Sequence, residues 1–330
     1  MYKISILFLL IVLYPAHVWS TDHLLYFEGQ EIFGYSSALD KTIAYSMNPD
    51  FEMQKPSVGI DYLGRFSGES GDIATLAFQY RLALTETDSG TGYKTENQIY
   101  NAYGRAKTPL CYIWIGHNRP AFGLSSYLDS HSLLLPTLEM LIGYYELDWG
   151  IGATRDFSWG DVAVSETMGS GMPIRETGQN YMTAARASYG VLNRDNFNIG
   201  LSLSTGRTLN TIGYTVVDPV PQSMGLAGID LAILRDNFEH RFEALIGQFL
   251  GEDIEAVFYR FGMNLGDEGQ YKIEAQPAYW KSGEERNYEG ALCFSYRATA
   301  NFTVRTEYVY DHPLNDNRFL LQLYFYEKLY

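Results

Sequence analysis

The stretch Ile73-Ala74-Thr75-Leu76-Ala77-Phe78-Gln79-Tyr80-Arg81-Leu82-Ala83-Leu84 decides the reading of this chain. Leu76, Phe78, Tyr80, Leu82 and Leu84 fall at every second position, and Thr75, Gln79 and Arg81 lie between them. Successive side chains of a strand point to opposite faces, so one face of this segment suits an apolar medium and the other suits water. Phe197–Thr205 repeats the pattern, with Phe197, Ile199, Leu201 and Leu203 set against Asn198, Gly200, Ser202 and Ser204. Phe302–Tyr310 repeats it again: Phe302, Val304, Tyr308 and Tyr310 oppose Thr303, Arg305 and Glu307.

Working outward, the same alternation predicts strands at Val58–Phe66, Asn97–Arg105, Leu110–His117, Tyr144–Ala153, Phe157–Val164, Tyr181–Val191 and Gly225–Leu234. It predicts more at Arg241–Leu250, Ile254–Asn264, Tyr271–Lys281, Tyr288–Arg297 and Arg318–Tyr326. A first strand between Glu31 and Met47 makes sixteen, with Ala38–Lys41 as a turn or bulge. Single-chain bacterial barrels have an even strand number and alternate short periplasmic turns with long outer loops. The short connections fall at Ser67–Asp72, Lys107–Pro109, Thr154–Asp156, Asn193–Asn196, Asp236–Phe238, Gly266–Gln270 and Thr299–Asn301. The long ones fall between them, at Asn48–Lys55, Thr85–Glu96, Asn118–Gly143, Ser165–Asn180 and Arg207–Met224; Gly251–Asp253 is a short exception. Pro277 removes a ladder donor and predicts a bulge. Solenoids and propellers should show internal repeats, and none is visible.

Composition agrees. Charged residues are 19% of the chain, and 27 Tyr and 5 Trp raise the aromatic share to 15%, enough for interfacial girdles. A net charge of −15 excludes a basic nucleic-acid footprint. Met1-Tyr2-Lys3, the apolar run Ile4–Tyr14 and Val18-Trp19-Ser20 read as a signal peptide over residues 1–20, leaving residues 21–330 as one barrel. Cys111 and Cys293 sit in distant strands and are expected as free thiols. No phosphate loop, dinucleotide fingerprint or metal-ligand cluster is visible, so no cofactor and no metal is expected.

The longest outer connection, Asn118–Gly143, is unusually apolar and is expected to pack against something, folded into the barrel. Its Arg119, Asp129, His131 and Glu139 are the candidates for a constriction, where opposite charges set a transverse field. On the strands, Arg81, Arg186, Arg241, Glu243, Arg305 and Glu307 lie on polar faces, as a screening ladder or as structural ion pairs. Asp129-Ser130-His131-Ser132 superficially suggests hydrolase chemistry, but triads assemble in space rather than in a string. The chain is therefore read as no enzyme.

The passage Trp114-Ile115-Gly116-His117-Asn118-Arg119-Pro120-Ala121-Phe122-Gly123 and the closing Asn317-Arg318-Phe319-Leu320-Leu321-Gln322-Leu323-Tyr324-Phe325-Tyr326 resemble sixteen-stranded bacterial porins, notably relatives of the phosphate-selective porins. That resemblance implies an all-β transmembrane antiparallel barrel in the bacterial outer membrane, with the third outer loop folded inward. It implies a water-filled channel for small hydrophilic solutes or ions, a surface against outer-membrane lipid, and a homotrimer. Two departures stand out. The chain ends in Tyr330 where these porins usually end in Phe, and it is poor in Lys, so phosphate selectivity is not carried over. The alternative is a non-conducting barrel that serves as a scaffold for periplasmic or surface partners.

Overall fold

A computed structural model describes residues 20–44, 54–69, 71–86, 92–128, 132–266 and 269–330. Within them the chain forms one antiparallel sheet closed on itself. Its strands are β1 (Ser20–Ser36), β2 (Lys41–Ile43), β3 (Ser57–Gly68), β4 (Gly71–Glu86), β5 (Tyr93–Lys107), β6 (Tyr112–Asn118), β7 (Asp148–Phe157), β8 (Gly160–Thr167) and β9 (Tyr181–Tyr189). They continue as β10 (Phe197–Ile212), β11 (Thr215–Arg235), β12 (Phe238–Phe249), β13 (Glu252–Leu265), β14 (Tyr271–Ser282), β15 (Glu285–Arg297), β16 (Phe302–Asp311) and β17 (Asp316–Lys328). Sixteen are wall strands; β2 is a short hairpin arm folded back on the outer end of β1 (Gly34↔Ile43). Neighbours in sequence pair in space, and β1 closes the circle by pairing with both β3 (Phe27↔Ile60) and β17 (Ile32↔Gln322). The start of β1 and the end of β17 lie at one end, that of the short turns, which is the periplasmic end in such barrels, and there Leu329 N donates to Leu25 O at 2.7 Å.

The alternation read from the sequence sets the two faces. Leu201 and Leu203 are 63% and 65% exposed, while Ser202 and Ser204 between them are buried in the interior. Aromatic bands edge this apolar belt. At the periplasmic end, Phe27 lies 6.1 Å from Phe325, Tyr271 stacks on Tyr296 at 5.1 Å, and Phe157 stacks on Trp159 at 4.9 Å. At the outer end, Tyr288 and Tyr310 lie 6.0 Å apart.

Several boundaries differ from the sequence expectation. The first strand is not within Glu31–Met47: β1 starts at Ser20, and residues 37–40 are a turn with Asp40 at φ 48°. Asp316 holds that turn, accepting from Ser36 Oγ at 2.7 Å and Ala38 N at 2.9 Å. β7 begins at Asp148 rather than Tyr144, because Tyr144 and Tyr145 pack inside the barrel. It runs through Thr154–Asp156, so its turn to β8 falls at residues 158–159. Arg207–Met224 is not a long loop. β10 and β11 form a hairpin through it, turning at residues 213–214. Pro219 and Pro221 fall within β11, but β11 pairs with β12 only from Gly225 onward, so both lie on an open edge where proline is tolerated. A register shift at Thr208–Thr211 bends this hairpin, and Tyr214 Oη at its tip donates to Ile99 O of β5 at 3.1 Å. Pro277 makes no bulge: pairing with β13 lapses between Phe258↔Ala278 and Phe261↔Ala275, with the register kept. Cys111 and Cys293 are both free.

Leu203→Arg, facing lipid in the apolar belt, should lower barrel stability by about 2–4 kcal/mol, the usual cost of Arg near a bilayer midplane. Urea unfolding in lipid vesicles reads this directly.

Candidate functional site

The described residues of L3, the loop between β6 and β7 (119–128 and 132–147), lie inside the barrel. A 3₁₀ turn at Leu124–Ser126 and a one-turn helix, α1 (Leu138–Ile142), shape it; Gly143 at φ 71° ends the helix. Its Phe122, Leu124, Leu138, Met140, Leu141, Tyr144 and Tyr145 form one buried cluster with the inner wall from β9 to β14. That wall is apolar where a water-filled barrel would be polar: Met182, Ala184, Met224, Leu226, Ala232, Leu245, Phe249, Ile254, Ala256, Phe258 and Ala278 face inward. Small residues there admit large ones from the loop. Gly228 leaves room for Phe122, whose ring would lie 3.3 Å from a Cβ at that position. Farther round, Leu134 packs on Ile32, Ile43 and Leu320, and Leu135 on Ala291, Cys293 and Val309. Each fully buried side chain of this kind contributes about 1.5–3 kcal/mol.

Wall side chains satisfy the loop's backbone. Ser165 Oγ accepts from Ala121 N (2.9 Å), Ser202 Oγ from Gly123 N (3.0 Å) and Glu243 Oε1 from Leu124 N (3.1 Å). Arg260 donates to Leu135 O (3.2 Å) and Pro136 O (2.8 Å), and Gln276 donates to Pro136 O (3.0 Å). Gln54, from the first outer loop, donates to Leu133 O at 3.2 Å and also reaches Leu134 O. Gly123 holds φ 57°, with the carboxyls of Glu139 and Glu243 pressed where a side chain would start. Those two carboxyls are both fully buried. Asp148, also buried, accepts from Gly169 N (2.6 Å) and Gly171 N (3.1 Å) and so fastens the loop after β8 over the outer mouth.

The structure separates the sequence candidates into three groups. Arg119 and Arg186 line a cavity of about 580 Å³ at the periplasmic side of L3, against the inner face of β4 to β9. Arg119 donates to Tyr100 Oη at 2.8 Å and lies 4.0 Å from Glu146; Tyr100 and Glu146 line a separate outer cavity of about 60 Å³. Arg186 is paired with Asp230 at 2.7 Å and stacks over Tyr127 at 4.7 Å. The second group lies away from that space, with Arg241 and Arg305 half-buried and the rest buried. Arg81 pairs with Glu28, Arg241 with Glu239, Arg305 donates to Gln322 at 2.8 Å, Glu243 and Glu139 hold L3, and Glu307 is only 2% exposed. Asp129 and His131 lie outside the described residues. Arg260, Gln276, Ser165, Ser202 and Asp148 were missed. Only Arg260 carried a signal, as the lone charge on an inward face of Ile254, Ala256, Phe258 and Gly262.

Comparisons with solved structures follow from this architecture. OmpF of Salmonella typhi, solved in complex with daunomycin, superposes with a TM-score of 0.66 at 9% identity, covering 93% of this chain and 97% of that one. The fold is that of the sixteen-stranded bacterial porins. The trimer form of OmpT, an outer-membrane protein of Vibrio cholerae, gives 0.64 at 11% identity, over 93% of this chain and 100% of that one. The anion-selective porin of Comamonas acidovorans gives 0.62 at 10% identity, over 94% and 100%. No protein-family model and no curated protein matches the sequence. A closed porin-fold barrel with an apolar belt between aromatic girdles is an outer-membrane architecture.

Burial pushes Glu139, on the inserted loop, up to about 7 from an ordinary 4.5. The folded loop therefore keeps a proton that the unfolded chain gives up. The associated stabilisation is full below about pH 4.5 and is lost as pH rises through about 7. Melting temperatures of the wild type should fall between pH 5 and pH 8, and Glu139→Gln should flatten that slope.

Proposed function

We propose that this chain is an outer-membrane porin that passes small hydrophilic solutes or ions between L3 and the wall of β4 to β8. One observation carries the reading: the cavity of about 580 Å³ lies inside the barrel, lined by charged and aromatic side chains, and ends at Arg119. Arg119 stands between this space and the outer cavity that holds its partners Tyr100 and Glu146, which makes it the constriction residue. Export by removal of residues 1–20, insertion against outer-membrane lipid and assembly as a homotrimer complete the proposal. No catalysis is part of it.

A second reading, a non-conducting barrel that serves as a scaffold for partners, is favoured by how tightly L3 fills the β9–β17 side. Arg81, Glu243, Arg260 and Glu307 lie on inward faces yet are buried. Single-channel recording in planar bilayers separates the two. Discrete conductance steps, with Arg119→Ala raising the step by about twofold or more and shifting the reversal potential toward cations, are the porin outcome. Silence from folded protein would leave the scaffold.

A further inference from the structure

The porin reading assigns no role to the cations at the periplasmic mouth of the large cavity. Arg105 and Lys107 stand two positions apart on one face of β5, at its periplasmic end. β5 pairs with β6 so that Lys107 lies opposite Tyr112 and Arg105 opposite Trp114. Both cations address one ring: the Arg105 guanidinium is 5.4 Å from the centre of Tyr112 and the Lys107 ammonium 5.9 Å. Both are solvent-exposed, and among the described residues neither meets a carboxylate. Several lumen cations are, by contrast, bound within the protein: Arg81 to Glu28, Arg186 to Asp230, Arg318 to Asp311 and Arg260 to the carbonyls of L3.

Beyond these cations, Tyr103 and the buried Trp114 line the same space with apolar surface. Three carboxylates also line it, on other strands. Asp72 accepts from Ser67 Oγ at 2.6 Å, Asp161 pairs with Arg186 at 3.7 Å, and Asp156 stands on the same periplasmic rim, two residues beyond Thr154, the cross-strand partner of Tyr112. The cation pair is therefore the strongest unsatisfied charge in a space large enough for a small organic molecule, with aromatic faces beside it. A cation held over a ring at the edge of a cavity attracts an anion, while the ring accepts a planar or apolar body.

We propose that this vestibule is a binding site for a small organic anion, a carboxylate or sulfonate carried on a ring, entered from the periplasmic side. Arg105 and Lys107 bind the anionic group, and Tyr103, Tyr112 and Trp114 bind the ring. The site does not require the passage to conduct; only the side of entry rests on the outer-membrane reading.

The test uses the folded barrel in detergent and naphthalene-2-sulfonate as the probe, followed by its fluorescence anisotropy. Saturable binding is expected, displaced by benzoate but not by benzyl alcohol or inorganic phosphate. R105A/K107A should weaken it at least tenfold, and R105K/K107R, which keeps both charges, should retain most of it. Binding that is unchanged in R105A/K107A, or displaced equally by benzyl alcohol, would overturn the site, since it would reduce to apolar uptake. Displacement by phosphate as effective as by benzoate would remove the ring from the proposal and overturn it as stated. Conductance without probe binding would defeat this site and leave the porin reading standing. Probe binding without conductance would do the reverse.

Discussion

In a bilayer no water is available to an unpaired strand edge, and the ladder between β1 and β17 is what removes the last one. An unsatisfied backbone group in hydrocarbon costs several kcal/mol, so a sheet of this length is viable in lipid only as a closed ring. The closing ladder runs from Tyr26↔Lys328 to Ser36↔Arg318, and the first and last strands of the chain make it. Everything else follows from closure. The outward faces must then be apolar, the aromatic bands mark where lipid ends, and the interior becomes a separate compartment whose filling is set by different rules.

The interior is divided. From β9 round to β17 the lumen is a packed core, in which L3 supplies the large side chains and the wall supplies Ala, Gly and Met to receive them. From β4 to β8 the lumen holds solvent-accessible space. L3 stays on its side because its polar backbone atoms are claimed by the wall: Arg260 and Gln276 take the carbonyls of Leu135 and Pro136, and Ser165, Ser202 and Glu243 take the amides near Phe122. A buried loop is tolerated only when such partners exist. The outer mouth is narrowed by a third element, the β10–β11 hairpin, whose tip reaches across to β5.

Charge inside the barrel divides the same way. Arg81–Glu28, Arg186–Asp230 and Arg318 with Asp311 are buried pairs, in which each ion is kept in place by its partner. Such pairs contribute little net stability, but removing one member typically costs about 3–5 kcal/mol. They are better understood as fixing which strands face each other across the lumen than as a screen for permeating ions. Arg105, Lys107 and Arg119, with Asp72, Asp156 and Asp161, border the open space instead.

The alternation in segments such as Ile73–Leu84 and Phe197–Thr205 was enough to indicate a sixteen-stranded transmembrane barrel, but not where β1 begins or that Arg207–Met224 is a strand hairpin rather than a loop. A period of two has only one physical use when one face is apolar and no partner sheet exists. The apolar run in L3 likewise showed that this loop must bury itself. What sequence could not decide was where. Leu133–Pro136 carries no mark of Arg260 or Gln276, residues more than a hundred positions away that meet it only when the barrel closes. For the same reason Arg81 and Arg119 read alike as lumen cations. Closure placed Arg81 against Glu28 with no solvent and left Arg119 at the boundary between two cavities. Strand identity is local, written in the pattern of neighbours; which inward face meets the loop and which meets water depends on contacts that exist only across the closed ring.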